Sequence, residues 1–344
     1  MTAQSSETAR PSLPIGLQHP WLAPLAGFTD LPFRVLCREL GAGAACTEMI
    51  SAKGLLFNNA STWRLLASCQ ADQPLVVQLY GSEPDMLARA VRELRLHGLR
   101  WFDLNAGCPV KKVVRTGAGA AMLGRPDRLA EAAAAMIEAG GPGRVGLKIR
   151  PGWDDHEPAY LRIAELLTES GLGWMSMHPR SVRQGFKGRA DWEKLGRLQQ
   201  AVPFPVLGSG DIFSEQDARR CLAMTGIAGV MFARGALQDP LVFSRLSRTE
   251  AAPGLESTGE QEGAGVRQRL MVVRRHIQLC QSLAPDRSGF LKMRLVIPKY
   301  LRAFQGVREV RRRVLRCRTW PELTDCIDDI EKATLAIDGS AWAV

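Results

Sequence analysis

Asp103-Leu104-Asn105-Ala106-Gly107-Cys108-Pro109 gathers residue types from which a reactive loop is made. An apolar strand, read as Trp101–Leu104, runs into a turn carrying Asn105 and then Cys108, whose thiol can serve as acid, nucleophile or ligand. Gly107 is expected to supply backbone angles that other residues avoid. Pro109 fixes its own φ and restrains its predecessor, so the thiol is aimed outward from a strand end. Cysteine can also be a small buried apolar residue. Here the glycine and proline, with Lys111-Lys112 and Thr116-Gly117-Ala118-Gly119 close behind, favour chemistry over packing.

Other polar residues recur at the ends of apolar segments. Gln78, Lys148 with Arg150, His178 with Arg180, Ser209-Gly210-Asp211 and Arg234-Gly235 each sit at the C-terminal end of a short β-branched or apolar run. The runs are Trp21–Ala26, Ala44–Ile50, Leu75–Tyr80, Trp101–Leu104, Val145–Ile149, Trp174–His178, Pro205–Leu207 and Val230–Phe232. Helical periodicity fills stretches between them, as in Glu83–Leu96, Arg128–Ala139 and Ala159–Ser170. Strands alternating with helices imply parallel βαβ units, and eight of them suit a (β/α)8 TIM barrel. An open doubly wound sheet is the alternative, weakened by the absence of a GxGxxG after the first strand. In a barrel all these polar residues converge on one mouth, at the C-terminal ends of the strands.

Gly208-Ser209-Gly210-Asp211 and Ala233-Arg234-Gly235-Ala236 follow the seventh and eighth strands, where barrels of this class most often hold a phosphate. Arg234 can add a charge-assisted bond. With a reactive cysteine, a lysine and a histidine at the same mouth, the set fits a flavin mononucleotide (FMN) barrel. Lys148 would stabilise the reduced anion, and Ala23–Gly27 would lie beneath the ring.

The 344 residues carry a net charge of +10, with 46% hydrophobic residues. No apolar run approaches the about 18 residues of a membrane span. Residues 1–18 lack a signal-like apolar core and read as a disordered leader, so a cytoplasmic location is expected. The eight cysteines show neither CxxC spacing nor a close histidine partner, so no metal site or disulfide framework is expected. After the barrel, 19–246, comes a Gly- and Glu-rich stretch, 247–266, read as a linker. The remainder, 267–344, reads as a basic helical unit. From Arg267 to Arg318 fifteen Lys or Arg face two acids, Asp286 and Glu309, a balance of +13. Arg308, Arg311, Arg312, Arg313, Arg316 and Arg318 would repel one another without a polyanion, so nucleic-acid contact is expected. Pro321–Asp338 closes the chain as an acidic amphipathic helix with Leu323, Cys326, Ile330 and Leu335 inward.

The motifs resemble those of the tRNA-dihydrouridine synthases, most closely the bacterial B branch. The matching pieces are Ala23-Pro24-Leu25-Ala26-Gly27-Phe28-Thr29-Asp30, Thr47-Glu48-Met49, Val77-Gln78-Leu79, Asp103-Leu104-Asn105, Gly107-Cys108-Pro109, Lys148-Ile149-Arg150, His178-Pro179-Arg180, Gly188-Arg189-Ala190-Asp191-Trp192, Gly210-Asp211-Ile212 and Arg234-Gly235-Ala236. The resemblance implies that Pro24, Leu25, Ala26, Gln78, Lys148, Ser209, Gly210, Asp211, Ala233 and Arg234 contact FMN, with His178 beside it. It also implies that Cys108 is the catalytic acid, that Asn105 and Arg180 hold the flavin or the target base, and that the basic unit binds tRNA. Ser209, Ala233 and Phe186 depart from the Asn, Gly and Tyr usual in the family, which bears on FMN affinity.

The expected reaction is reduction of the uracil C5=C6 bond, with hydride from reduced FMN to C6, a proton from Cys108 to C5, and NADPH as reductant. Cys108 is wanted as a neutral thiol, and the base would be flipped out to reach it. Lys111, Lys112 and Arg115 would oppose the neutral thiol if they came close. A monomer is expected. Two other readings stand: an FMN barrel reducing a small molecule, which has no use for the basic unit, and a non-catalytic RNA-binding protein, which has no use for Cys108, Lys148 and His178.

Overall fold

A computed structural model describes residues 13–156, 158–247, 259–302 and 306–340; the side chains of 259–264, 266 and 334–340 lie outside that description. Among the described residues nine parallel strands form one sheet: β1 (Trp21–Leu22), β2 (Ala44–Cys46), β3 (Ile50–Ser51), β4 (Leu75–Tyr80), β5 (Trp101–Ala106), β6 (Val145–Ile149), β7 (Trp174–Met177), β8 (Val206–Gly208) and β9 (Gly229–Phe232). β1 pairs with both β2 and β9, and β2 pairs with β4, so eight strands close a TIM barrel while β3 extends the wall alongside β4. Closure removes the edges that an open sheet would expose.

Strand periodicity sorts the side chains. Trp21, Ala23, Ala44, Cys46, Val76, Trp101, Trp174, Leu207 and Met231 point inward and form a separate interior cluster. Trp21 and Trp174 meet edge to face at 5.4 Å. Outward residues of the same strands join the larger core beneath the helices. Two residues above the interior cluster, at the C-terminal end of each strand, the same inward face presents Gln78, Asn105, Lys148, His178, Ser209 and Ala233.

Several expected boundaries move. Of the stretch expected as leader, 1–12 lie outside the described residues, but Leu13 is buried in the barrel interior and the Pro14 carbonyl accepts from Trp21 Nε1 at 2.8 Å. That end of the stretch plugs the barrel floor. β1 stops at Leu22, because Pro24 offers no N–H to a ladder. β5 continues two residues beyond the expected end, so Asn105 belongs to the strand and not to the turn. The first C-terminal helix begins at Gly259, inside the expected linker, where Glu260, Gln261, Glu262 and Ala264 outweigh three glycines.

Four C-terminal helices, Gly259–Leu283, Arg287–Tyr300, Val307–Arg316 and Trp320–Ser340, complete the chain. Leu323, Cys326 and Ile330 are buried as expected, while the Leu335 side chain lies outside the described residues. Buried residues of these helices and of the barrel form one contiguous cluster. Arg275 pairs with Glu39 at 2.6 Å, Arg269 with Asp239 at 2.8 Å, and Lys292 with Asp30 at 2.8 Å, each joining a C-terminal helix to the barrel.

Candidate functional site

Two adjoining chambers, of about 200 and 170 Å³, open at the C-terminal mouth and share Pro24, Lys148 and His178. The first is lined by Gln78, Asn105, Cys108 and Arg150, the second by Ser209, Gly210, Ala233 and Arg234.

Cys108 is seated by its own strand. Asn105 Oδ1 accepts the Cys108 N–H at 3.0 Å and the Gly107 N–H at 3.2 Å, and the Cys108 carbonyl accepts from Ala120 N at 3.0 Å. Gly107 serves close approach rather than an unusual φ: a Cβ there would lie 3.2 Å from the Ile149 carbonyl carbon. Burial pushes the Cys108 thiol up, against the smaller opposing pulls of the Val110 N–H and Arg150. Lys111, Lys112 and Arg115 are exposed and take no part in that balance. The thiol is therefore neutral at pH 7, as a proton donor must be.

Lys148 Nζ lies 3.4 Å from Ser209 Oγ, and burial lowers it to about 8 against the attraction of Asp103. His178 is held at about 2 by burial and by Arg150, Lys148, Arg180 and Arg234, so its ring stays uncharged. A Cβ on Gly210, whose φ is +93°, would meet that ring at 2.5 Å; only glycine lets this loop cross the histidine.

The sequence matches the dihydrouridine synthase (Dus) family over residues 21–335. The chain belongs to the dihydrouridine synthase family. It is 32% identical to a probable tRNA-dihydrouridine synthase 1 of Synechocystis over 308 residues, 89% of this chain and 84% of that protein. It is 36% identical to tRNA-dihydrouridine synthase B of Pseudomonas aeruginosa over 225 residues, 65% and 68% of the two chains. An old yellow enzyme homologue from Zymomonas mobilis shares the barrel at a TM-score of 0.51 and 17% identity, covering 73% of this chain and 96% of that one.

In this dihydrouridine synthase the expected site residues divide into two groups. Pro24, Leu25, Ala26, Gln78, Asn105, Cys108, Lys148, His178, Ser209, Gly210, Asp211, Ala233 and Arg234 all line one chamber or the other. Arg180 does not. It is buried, donates to the Lys187 and Gly188 carbonyls, and pairs with Asp211 at 2.5 Å, so it braces a loop. The Asp211 carboxylate is spent likewise on Arg180, the Ala190 N–H and Arg234. Burial alone would raise it, but these partners together hold it below its ordinary value.

Arg308, Arg311, Arg312 and Arg313 lie on the third C-terminal helix and line neither chamber. Two residues to which the motifs give no role support the site: Arg150 lines the first chamber, and Asp103 lies beneath it, bonded to Gln78. Arg150 is buried, donates to the Gly107 carbonyl at 3.1 Å and to the Arg180, Ser181 and Gly185 carbonyls, and thereby binds the Cys108 loop to the Phe186 loop. Its signal in the sequence is the Lys148–Arg150 spacing of two, which puts both on one strand face. Among the described residues no cluster suits a metal ion, and no helix is long and apolar enough to cross a membrane.

Proposed function

We propose that this enzyme reduces a uridine of tRNA to 5,6-dihydrouridine with FMN as cofactor and NADPH as reductant, and that Cys108 is the proton donor. The observation that carries the reading is a neutral, half-buried thiol seated on Asn105 in a chamber that shares Lys148 and His178 with a second, glycine-lined chamber.

The residues present fit FMN. Pro24, Leu25 and Ala26 form a small-residue floor. Gly210, whose loop lies tight against His178, and Ser209, Ala233 and Arg234 supply a hydroxyl, backbone N–H groups and a guanidinium for a phosphate. When bound, FMN supplies the hydride that reaches C6 of the uracil. Lys148, charged below about pH 8, stabilises negative charge that develops in the shared part of the cleft. Neutral His178 can donate or accept a hydrogen bond there without adding charge. Cys108 gives its proton to C5, and Arg150 beside it favours the thiolate that results. Substitution of the phosphate-side Asn and Gly by Ser209 and Ala233 leaves a hydroxyl and the backbone N–H groups in place.

tRNA as substrate rests on family membership and on the basic third C-terminal helix, which a small-molecule reductase would not need. Purified protein supplied with FMN should show flavin absorbance and convert uridine to dihydrouridine in unmodified tRNA. Cys108→Ala should keep flavin and tRNA binding and lose at least about a hundredfold in the rate at which pre-reduced enzyme acts on tRNA. Full activity in that variant would remove Cys108 from the chemistry, and failure to take up flavin in the wild type would end the reading.

A further inference from the structure

Asp103 is a carboxylic acid in the layer beneath the active site, fully buried on the inward face of β5. Packing does not ask for it there. Cys46 and the Trp174 indole lie near it in the barrel interior, and a buried carboxylate costs free energy wherever it is incompletely bonded. Oδ1 of Asp103 has no hydrogen bond of good geometry among the described residues. Oδ2 accepts from Gln78 Nε2 at 2.7 Å. Gln78 Oε1 in turn accepts from Asn105 Nδ2 at 2.7 Å, and Asn105 Oδ1 accepts the N–H groups of Gly107 and Cys108.

These bonds form one directed chain. A side-chain amide can be turned over with little change in shape, which exchanges donor for acceptor. Turning Gln78 would set its NH2 against the NH2 of Asn105. Turning Asn105 to relieve that would set its NH2 against the Cys108 N–H. Fixed groups at both ends forbid this. The backbone N–H groups can only donate, and an ionised Asp103 can only accept. Burial raises Asp103 to about 6, with the Gln78 hydrogen bond, Lys148 and the nearby Trp174 indole N–H opposing, so it is ionised at pH 7.5.

We propose that Asp103 is a positioning residue: through Gln78 and Asn105 it sets the amide directions that seat the Cys108 loop. β-Strand register makes this possible, since Gln78 lies opposite Asp103 on neighbouring parallel strands and Asn105 stands one inward position above it. The same acceptor leaves the second Gln78 Nε2 hydrogen for the chamber above. The inference deepens the proton-donor role of Cys108 and rests on it for its catalytic meaning, but the seating of the loop can be read without turnover.

The test compares Asp103→Leu, which removes the acceptor, with Asp103→Asn, which can keep an oxygen toward Gln78. Cys108 alkylation by iodoacetamide is followed by peptide mass spectrometry across pH in the flavin-loaded enzyme. Single-turnover reduction of tRNA by pre-reduced enzyme is measured alongside. Asp103→Leu should bring the alkylation midpoint of Cys108 down toward an ordinary thiol and slow tRNA reduction about tenfold or more. Asp103→Asn should keep the wild-type midpoint and stay within about threefold in rate.

Gln78→Met cuts the chain one link higher and should reproduce the alkylation change, which covers the case of Asp103→Leu failing to fold. Wild-type alkylation in Asp103→Leu or in Gln78→Met would overturn the proposal. Equal losses in the Leu and Asn variants would overturn it too, because the charge rather than the acceptor would then matter. An active Cys108→Ala enzyme would defeat the proton-donor role while leaving the alkylation result intact.

Discussion

Cys108 and Lys148 face one chamber with protonation states pushed in opposite directions by the same burial. For the acid, burial favours the neutral thiol; for the base, it favours the neutral amine. Raising the pH should therefore discharge Lys148 first. Single-turnover reduction of tRNA is expected to fall through an alkaline limb near pH 8, and Lys148→Arg should move that limb upward, since a guanidinium stays charged. A limb unmoved in the arginine variant would assign it to another group.

Two imidazoles, His276 buried and His178 half-buried at the mouth, act on stability instead. His178 sits at about 2 and His276, stacked on Phe33 and bonded to the Tyr300 hydroxyl, at about 4, both lowered chiefly by burial. Below the unfolded value of about 6.5 the unfolded chain binds protons that the folded chain refuses. Stability is thus lost as pH falls, by up to about 1.4 kcal/mol per pH unit for each histidine. Denaturant titrations of His276→Phe should show a shallower decline between pH 6.5 and 4 than the wild type, and equal slopes would count against the assignment.

At the scale of elements, the helix Leu31–Glu39 holds the floor of the site. Asp30 caps it by accepting the Phe33 N–H, and Pro32 lies in its first turn. From its buried face Arg34 pairs with Asp72 at 2.8 Å and donates to the Thr29 carbonyl at 2.7 Å and the Ala67 carbonyl at 2.6 Å. Glu48 meanwhile accepts the Gly27 N–H at 2.6 Å. The loop that carries Pro24, Leu25 and Ala26 is thereby tied just beyond Ala26, at Gly27 and Thr29, to groups that lie outside the chambers. Arg34→Met should cost about 3–5 kcal/mol in urea unfolding, because it strands the Asp72 carboxylate. Adding Asp72→Leu should recover most of that loss. If the double variant were no more stable than the single one, packing of the arginine stem would matter more than the stranded charge.

For the whole molecule, the basic segment is less bare than its composition implies. Six of its fifteen cations have acidic partners among the described residues: Arg269, Arg274, Arg275, Lys292, Arg312 and Arg313. Those acids come largely from the barrel and from the last helix, which the local count from Arg267 to Arg318 could not include. Arg308 and Arg311 are exposed on the third helix with no ion pair among the described residues. Replacing these two by Gln should weaken tRNA binding and reduce the slope of log K against log salt by roughly 0.7–0.9 for each phosphate that the protein no longer neutralises. Replacing Arg312 and Arg313, which already face Glu309 and Asp329, should change the slope less. A larger effect from the second pair would place the RNA surface on that side of the helix.

The barrel is legible in the sequence because short apolar runs alternating with helical periodicity are local patterns, and the polar residues at the ends of those runs mark the mouth. Cys108, Lys148, His178 and Ser209 stand out on that pattern, and the family motifs add Pro24, Ala26 and Gln78. Partners are not legible. Arg180 and Asp211 look like ligand-binding charges until each is seen to occupy the other. Arg150 is legible as a mouth residue but its partners are not, and Asp103 looks like a flanking residue until the register of β4 and β5 sets it beside Gln78. Asn105 reads as a turn residue, yet it acts as the last inward residue of a strand. By itself the sequence determined which residues face the mouth, since side-chain direction follows from backbone period. Only the tertiary structure decided which of those residues are free to meet a substrate, because hydrogen bonds and ion pairs are made between strands and loops far apart in the chain.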